Sequence, residues 1–305
     1  MLLVSLNRVV IVSENLRCIL FMTAAMAGFA IEDAVIKHLS DSLPISQILV
    51  GVGACGAIVF AVTARLQGVS VWLPAMQTWG FWIRTFSELA AAVLFVSAMV
   101  YGSLSTASAI LQATPLAVAC GAALYLKQRI SIRQWSLIGF GFVGVLVVIQ
   151  PGGDEFQPAA ILAVIGVLFL ALRDVITRSL SAALPTATIS MWAFSAVLGA
   201  GVLSGPVFGP FVSLDWTHLA WFAVSAGAGC AGYFSVVIAT RSGDVAVVAP
   251  FRYSRLLFAL ALSVLLFNEA PNQWVYLGAG FIVVSGALTL ITQRKPRPLD
   301  PGLAV

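Results

Sequence analysis

The sequence predicts an all-α membrane protein, with ten transmembrane helices arranged as two inverted five-helix repeats. Three observations lead there. Of its 305 residues 60% are hydrophobic and 9% charged, with a mean hydropathy of +1.02. Soluble domains carry about 25% charged residues, so a water-soluble globule is excluded. The apolar runs are continuous and about 20 residues long, enough to cross a core of about 30 Å as helices, where barrel strands would alternate. Finally, Glu32-Asp33-Ala34-Val35-Ile36-Lys37-His38-Leu39-Ser40, ending in Leu43-Pro44, returns 141 positions later. The second copy is Arg173-Asp174-Val175-Ile176-Thr177-Arg178-Ser179-Leu180-Ser181, ending in Leu184-Pro185. Asp, a basic residue four places on, Leu-Ser and Leu-Pro recur in register.

Ten spans follow one another at 17–38, 45–65, 79–101, 104–126, 132–150, 158–179, 185–206, 216–239, 244–267 and 272–292. Turn residues part them at Leu43-Pro44, Pro74, Gly102-Ser103, Pro151-Gly152-Gly153, Leu184-Pro185, Gly205-Pro206 and Ala270-Pro271. No gap has room for a soluble domain. The expected division is an N-terminal cytoplasmic arm (1–16), a first repeat (17–150), a second repeat (158–292) and a basic cytoplasmic tail (293–305). Within the arm, Met1 to Ser13 is apolar but interrupted by Arg8 and shows no cleavage site. It reads as a short interfacial helix or as the product of an upstream start codon.

Basic residues gather on one side of the spans. With the N-terminus inside, that side collects Arg8, Arg17, Arg65, Lys127, Arg129, Arg133, Arg178, Arg241, Arg294, Lys295 and Arg297. The opposite side collects Asp41, Asp154, Glu155, Asp215 and Glu269, with Lys37 the one basic residue near it. The bias puts both termini in the cytoplasm of a bacterium and the chain in its inner (plasma) membrane. It also explains a pI of about 9.1 without any nucleic-acid partner.

The repeat extends beyond its opening motif. Gly102 matches Gly243 and Gln128 matches Glu269. After a two-residue shortening, Gln134-Trp135-Ser136-Leu137-Ile138-Gly139-Phe140-Gly141-Phe142 matches Gln273-Trp274-Val275-Tyr276-Leu277-Gly278-Ala279-Gly280-Phe281. Five is odd, so the second half enters the membrane from the other side. This is the architecture of many secondary transporters, which bind at the repeat interface near the midplane.

With its charged first span, Pro115-Leu116 in span four and Phe267-Asn268-Glu269-Ala270-Pro271 after span nine, the chain resembles the drug/metabolite transporter superfamily. It is most similar to the ten-helix branch with two EamA-type halves, and the likeness covers the chain after residue 17. Glu269 stands where the family has a Gly-Glu motif; the first half departs from it, with Leu126-Lys127-Gln128-Arg129 in that place. The Asp-bearing first span and Pro250-Phe251-Arg252-Tyr253-Ser254 resemble the riboflavin and S-adenosylmethionine uptake branch. The resemblance implies a secondary transporter that moves a small organic metabolite by alternating access. A second reading is a proton-coupled exporter of amino acids or toxic compounds, with Glu32 or Asp33 titrating. A remote one is a membrane-embedded lipid enzyme or scaffold.

Eight charges lie clearly inside spans, away from their ends: Glu32, Asp33, Arg84, Glu88, Arg173, Asp174, Arg252 and Arg255. Facing lipid, each would cost roughly 2.5–3.5 kcal/mol at a helix centre, so they must pair or line a wet cavity. Four acids against four arginines suit a self-neutralising network. Together with Tyr253 they are the substrate and transport candidates. Asp33 with Lys37, and Asp174 with Arg178, are four apart on one helix face, and these are the gate candidates. Arg252 and Arg255 follow Pro250 and break the repeat, since their counterparts are Leu111 and Thr114. Trp79, Trp82, Phe86, Trp192, Phe194, Tyr233 and Phe234 could stack a flat ligand, although Trp79 and Trp82 suit an interfacial belt better.

Other features point away from catalysis. Gly139–Gly144 and Gly227–Gly232 match G-x-G-x-x-G, but neither opens a soluble helix after a strand, so they read as helix-packing notches. Cys18, Cys55, Cys120 and Cys230 are isolated, and no HExxH, GxSxG, Walker A or metal cluster occurs. The sequence therefore predicts no enzyme, no cofactor and no metal. Its expected partners are a small-molecule substrate, the bilayer and, as a coupling option, protons, in a monomer or homodimer.

Overall fold

A chain inside a bilayer must satisfy its own backbone, and in the computed structural model every span is helical, with no strand among the described residues. The structure describes residues 2–125, 131–153, 156–180, 185–242 and 248–292. The helices are α1 (Leu2–Leu39), α2 (Ile45–Leu66), α3 (Trp79–Tyr101), α4 (Leu104–Leu111), α5 (Thr114–Tyr125), α6 (Ile132–Ile149), α7 (Ala159–Ser179), α8 (Thr186–Phe208), α9 (Trp216–Ser242), α10 (Ser254–Phe267) and α11 (Gln273–Thr292). Tight turns Pro74–Gln77 and Ala249–Tyr253 precede α3 and α10. Among the described residues nine spans are long and apolar enough to cross a membrane, and the shorter apolar Gln273–Thr289 makes the tenth. The N-terminal arm runs into the first span as one helix.

Local sequence sets the boundaries. Pro44, Pro158 and Pro185 stand at the caps of α2, α7 and α8, where no intrahelical N–H is needed. Thr78 and Ser103 accept from the backbone N–H of Phe81 and Thr106, and Ser131 with Gln134 closes a capping box on α6. Gln150 and Asn268 end α6 and α10 in the left-handed region, each at φ 49°.

Two spans depart from the unbroken helices that the sequence predicts. Span four breaks at Gln112-Ala113, because Pro115 has no N–H for the Leu111 carbonyl. The Thr114 hydroxyl takes over that acceptor at 2.6 Å. In span nine the tight turn Ala249–Tyr253, which contains Pro250, leads into α10, with the Ser254 hydroxyl donating to the Phe251 carbonyl at 2.7 Å. Gln112 and Tyr253 are counterparts in the repeat, so both halves interrupt the same helix at the same place.

The halves pack as images of each other. α1 lies on α9 as α7 lies on α3, and α1 meets α10 as α7 meets α4 and α5. The pairs α2–α8 and α6–α11 join equivalent elements, and α4–α10 joins the equivalent spans four and nine. Exchanging the halves therefore preserves the main helix pairings, as an approximate two-fold relation requires.

Small residues make the close crossings. A Cβ on Gly278 would lie 2.5 Å from the Gly144 carbonyl oxygen, and one on Gly144 would lie 2.8 Å from that of Gly278. A Cβ on Gly28 would meet the Ala228 carbonyl oxygen at 2.7 Å. Both G-x-G-x-x-G stretches are thus packing notches, as expected.

The core is uneven across the membrane. One large apolar cluster joins both halves at the end holding Leu39, Leu43, Met99, Leu104, Ile149 and Ala160. At the other end two small clusters stay apart, one around Met22 and Ala239 and one around Met76 and Phe81. Apolar packing across the halves is continuous at the first end, and at the second the outlying residues fall into separate clusters. Gly278→Val should lower the unfolding temperature in detergent, with about 1–3 kcal/mol of overpacking at the α6–α11 crossing. Gly280→Val, which meets open space, should change little.

Candidate functional site

Both helix interruptions border a cavity of about 560 Å³, a volume typical of small-molecule sites. Discontinuous spans lining a cavity between repeats are where transporters of this architecture bind. Its wall includes Glu32 and Asp33 of α1, Glu88 of α3, Gln112 beside α4, Arg173 and Asp174 of α7, and Arg252, Tyr253 and Arg255 of span nine. Of the substrate and transport candidates, only Arg84 stays behind the wall.

The expected charge network is present, divided into two groups. In one, Arg255 donates to Asp33 Oδ2 from Nη2 at 2.6 Å and from Nε at 3.2 Å. In the other, Arg173 donates from Nη1 to Glu88 at 2.9 Å and from Nε to Asp174 at 2.8 Å. Arg84 Nη2 approaches Glu88 at 3.7 Å, and its Nε and Nη1 are buried with no partner among the described residues. Charged hydrogen bonds of this kind offset the loss of hydration.

The expected gate pair Asp33–Lys37 does not form. Asp33 turns into the cavity, where two guanidinium N–H groups converge on one oxygen. Lys37, one turn on, meets Glu269 instead. Asp174 is held by Arg173, and the side chain of Arg178 lies outside the described residues. Of the aromatic candidates, Phe194 and Tyr233 line the cavity. Trp82 and Trp192 cluster with Trp72 and Phe81, and Trp79 is 84% exposed, as an interfacial residue would be.

Glu269 is the residue that charge counting passed over as a site candidate. Besides Lys37 it accepts from the backbone N–H of Leu104 at 2.8 Å and of Ser105 at 3.0 Å, and from the Ser105 hydroxyl at 2.7 Å. The carboxylate thus caps the first turn of α4, where the helix dipole favours an anion, and ties α1 to the turn before α11. Two sequence signals mark it: the Gly-Glu likeness, and Lys37 as the lone basic residue on that side. Burial pushes its pKa up, but the bonds from Lys37, Ser105 and Leu104 outweigh this and hold it below the ordinary 4.5.

The family profile for EamA-like transporters matches residues 16–150 and again 157–291. The chain belongs to the EamA-like transporter family. A riboflavin transporter of Rhizobium johnstonii is 27% identical over 75% of this chain and 76% of its own. An S-adenosylmethionine uptake transporter of Rickettsia conorii is 25% identical over 63% of this chain, which spans 64% of that relative. A pseudopaline exporter of Pseudomonas aeruginosa is 24% identical over 91% of this chain and 96% of its own. Membership makes this a transporter-family protein, and its two halves enclose a cavity of small-molecule size.

Two outcomes follow for the ion pairs. Asp33→Asn strands Arg255 and should cost about 3–5 kcal/mol. Asp33→Asn with Arg255→Gln should recover most of that in a double-mutant cycle read by unfolding in detergent. Glu269 has a depressed folded pKa, so its stabilisation is complete above the unfolded value of 4.5 and is lost as pH falls through the folded one. The difference in unfolding temperature between wild type and Glu269→Gln should stay constant above about pH 6 and shrink below pH 4.5.

Proposed function

We infer that the transporter works by alternating access and takes up a vitamin- or cofactor-like metabolite such as riboflavin or S-adenosylmethionine. One observation carries the mechanism: the cavity sits between inverted halves, with a core shared across both at one end and separate clusters at the other. The uptake relatives support the substrate class. The distribution of lysine and arginine favours cytoplasmic termini in a bacterial inner membrane, which makes the end with the shared core the outer one and the structure inward-facing.

In this reading Lys37–Glu269 is the outer latch and Asp33–Arg255 a tie deeper in. Asp174 and Arg178 belong to the inner gate. Glu32, Glu88, Arg173, Arg252 and Tyr253 contact substrate or support those that do, with Arg84 behind them. Protons are a coupling option, and a monomer or homodimer serves equally. The pseudopaline exporter among the relatives supports the second reading, proton-coupled export of amino acids or toxic compounds, in its direction of transport.

The test is growth rescue of a riboflavin auxotroph lacking its own uptake system, followed by uptake of labelled riboflavin or S-adenosylmethionine into vesicles. Rescue or uptake, reduced at least tenfold by Arg255→Ala, is expected. Absence of both, with proton-driven amino-acid efflux instead, would move the assignment to export. The latch has its own readout in a cysteine-free background. Lys37→Cys with Glu269→Cys, cross-linked by a short bifunctional reagent, should stop transport and recover it when a cleavable linker is cut.

A further inference from the structure

Glu32 and Arg173 are repeat counterparts, and so are Glu88 and Gly229, each pair 141 positions apart. The structure honours this register. Arg173 of α7 donates to Glu88 of α3 at 2.9 Å. At the equivalent crossing of α1 and α9, the Glu32 carboxylate lies over Gly229, its three atoms 2.8–2.9 Å from where a Cβ would be. One copy of the contact is a closed ion pair. The other has the charge on one helix and no side chain opposite.

Glu32 borders the cavity and makes no ion pair or hydrogen bond with a described residue. Arg255 borders the same cavity, but its Nε and Nη2 both serve Asp33. Phe29 and Tyr233 line the same cavity; the Phe29 ring already carries the Arg255 guanidinium, 5.5 Å from its centroid, which shows that cations are held on aromatic faces here. A carboxylate in this setting, half-buried in the membrane interior, is costly until a positive charge reaches it.

We propose that the Glu32 carboxylate, seated on Gly229 and bordering the cavity, is a subsite for a positively charged group of the transported molecule, an ammonium or sulfonium carried on a flat body. The substrate supplies, from the cavity, the cation that Arg173 supplies in the other half, and Gly229 leaves the room in which the carboxylate rests. The proposal rests on the reading of the cavity as the transport site and narrows its substrate class to organic cations and zwitterions.

The test uses binding to the purified protein of two matched pairs differing in one positive charge. These are S-adenosylmethionine against S-adenosylhomocysteine, and 1-methylnicotinamide against nicotinamide. Wild type should prefer the charged member of at least one pair by tenfold or more. Glu32→Gln should abolish the preference and leave the neutral member bound within threefold. Gly229→Lys, which installs an internal counter-ion, should do the same, whereas the uncharged Gly229→Ala should keep the preference. No preference in wild type, a preference that survives Glu32→Gln, or equal loss of charged and neutral ligands overturns the proposal. A failure of riboflavin and S-adenosylmethionine uptake alone would overturn the substrate reading above, since the nicotinamide pair reads the Glu32 subsite separately.

Discussion

Charge inside a bilayer has to be neutralised where it stands, and this requirement organises the protein more than any apolar contact does. The apolar residues would fold as helices in many arrangements, because lipid tails are as greasy as leucine. The charges would not. Asp33–Arg255, Lys37–Glu269 and Glu88–Arg173 each join a residue of the first half to one of the second. The ion pairs therefore fix how the repeats face each other, and the cavity is what remains between them.

Much of the fold was legible because it depends on length and periodicity. Spans, repeat and inversion follow from apolar runs and from Glu32–Pro44 returning as Arg173–Pro185. The pairings were less legible. Asp33 and Lys37 share a helix face, yet neither chooses the other, because helix spacing reports only neighbours in sequence. Their real partners lie 222 and 232 residues away, a distance that a single chain cannot disclose without the packing of α1 on α10. Glu269 escaped notice for a related reason: it lies in a turn, outside the membrane-buried charges that stand out on cost. The break at Gln112-Ala113 had a visible cause in Pro115, but proline in a membrane helix kinks as often as it interrupts.

The two interrupted spans show how symmetry and chemistry divide the work. Both halves open the same helix at the same position, which suits a mechanical part used twice. The side chains there differ: Gln112 in one half, Tyr253 in the other, with Arg255 opposite Thr114. A duplicated scaffold can thus present a one-sided binding surface, since only the wall residues need diverge.

The latch shows the same division, with a consequence for the conformational balance. By register, Lys37 and Glu269 have Arg178 and Gln128 as counterparts. An amide offers no charge to a guanidinium, and Gln128 lies outside the described residues. Under the proposed alternating access the state closed at the other end therefore lacks the counterpart of this ion pair and relies on Asp174 and Arg178, on apolar contact or on bound substrate. In the proposed mechanism the state closed at Lys37–Glu269 is the one that carries this ion pair, and the differential binding that drives the protein to the other has to come from its cargo.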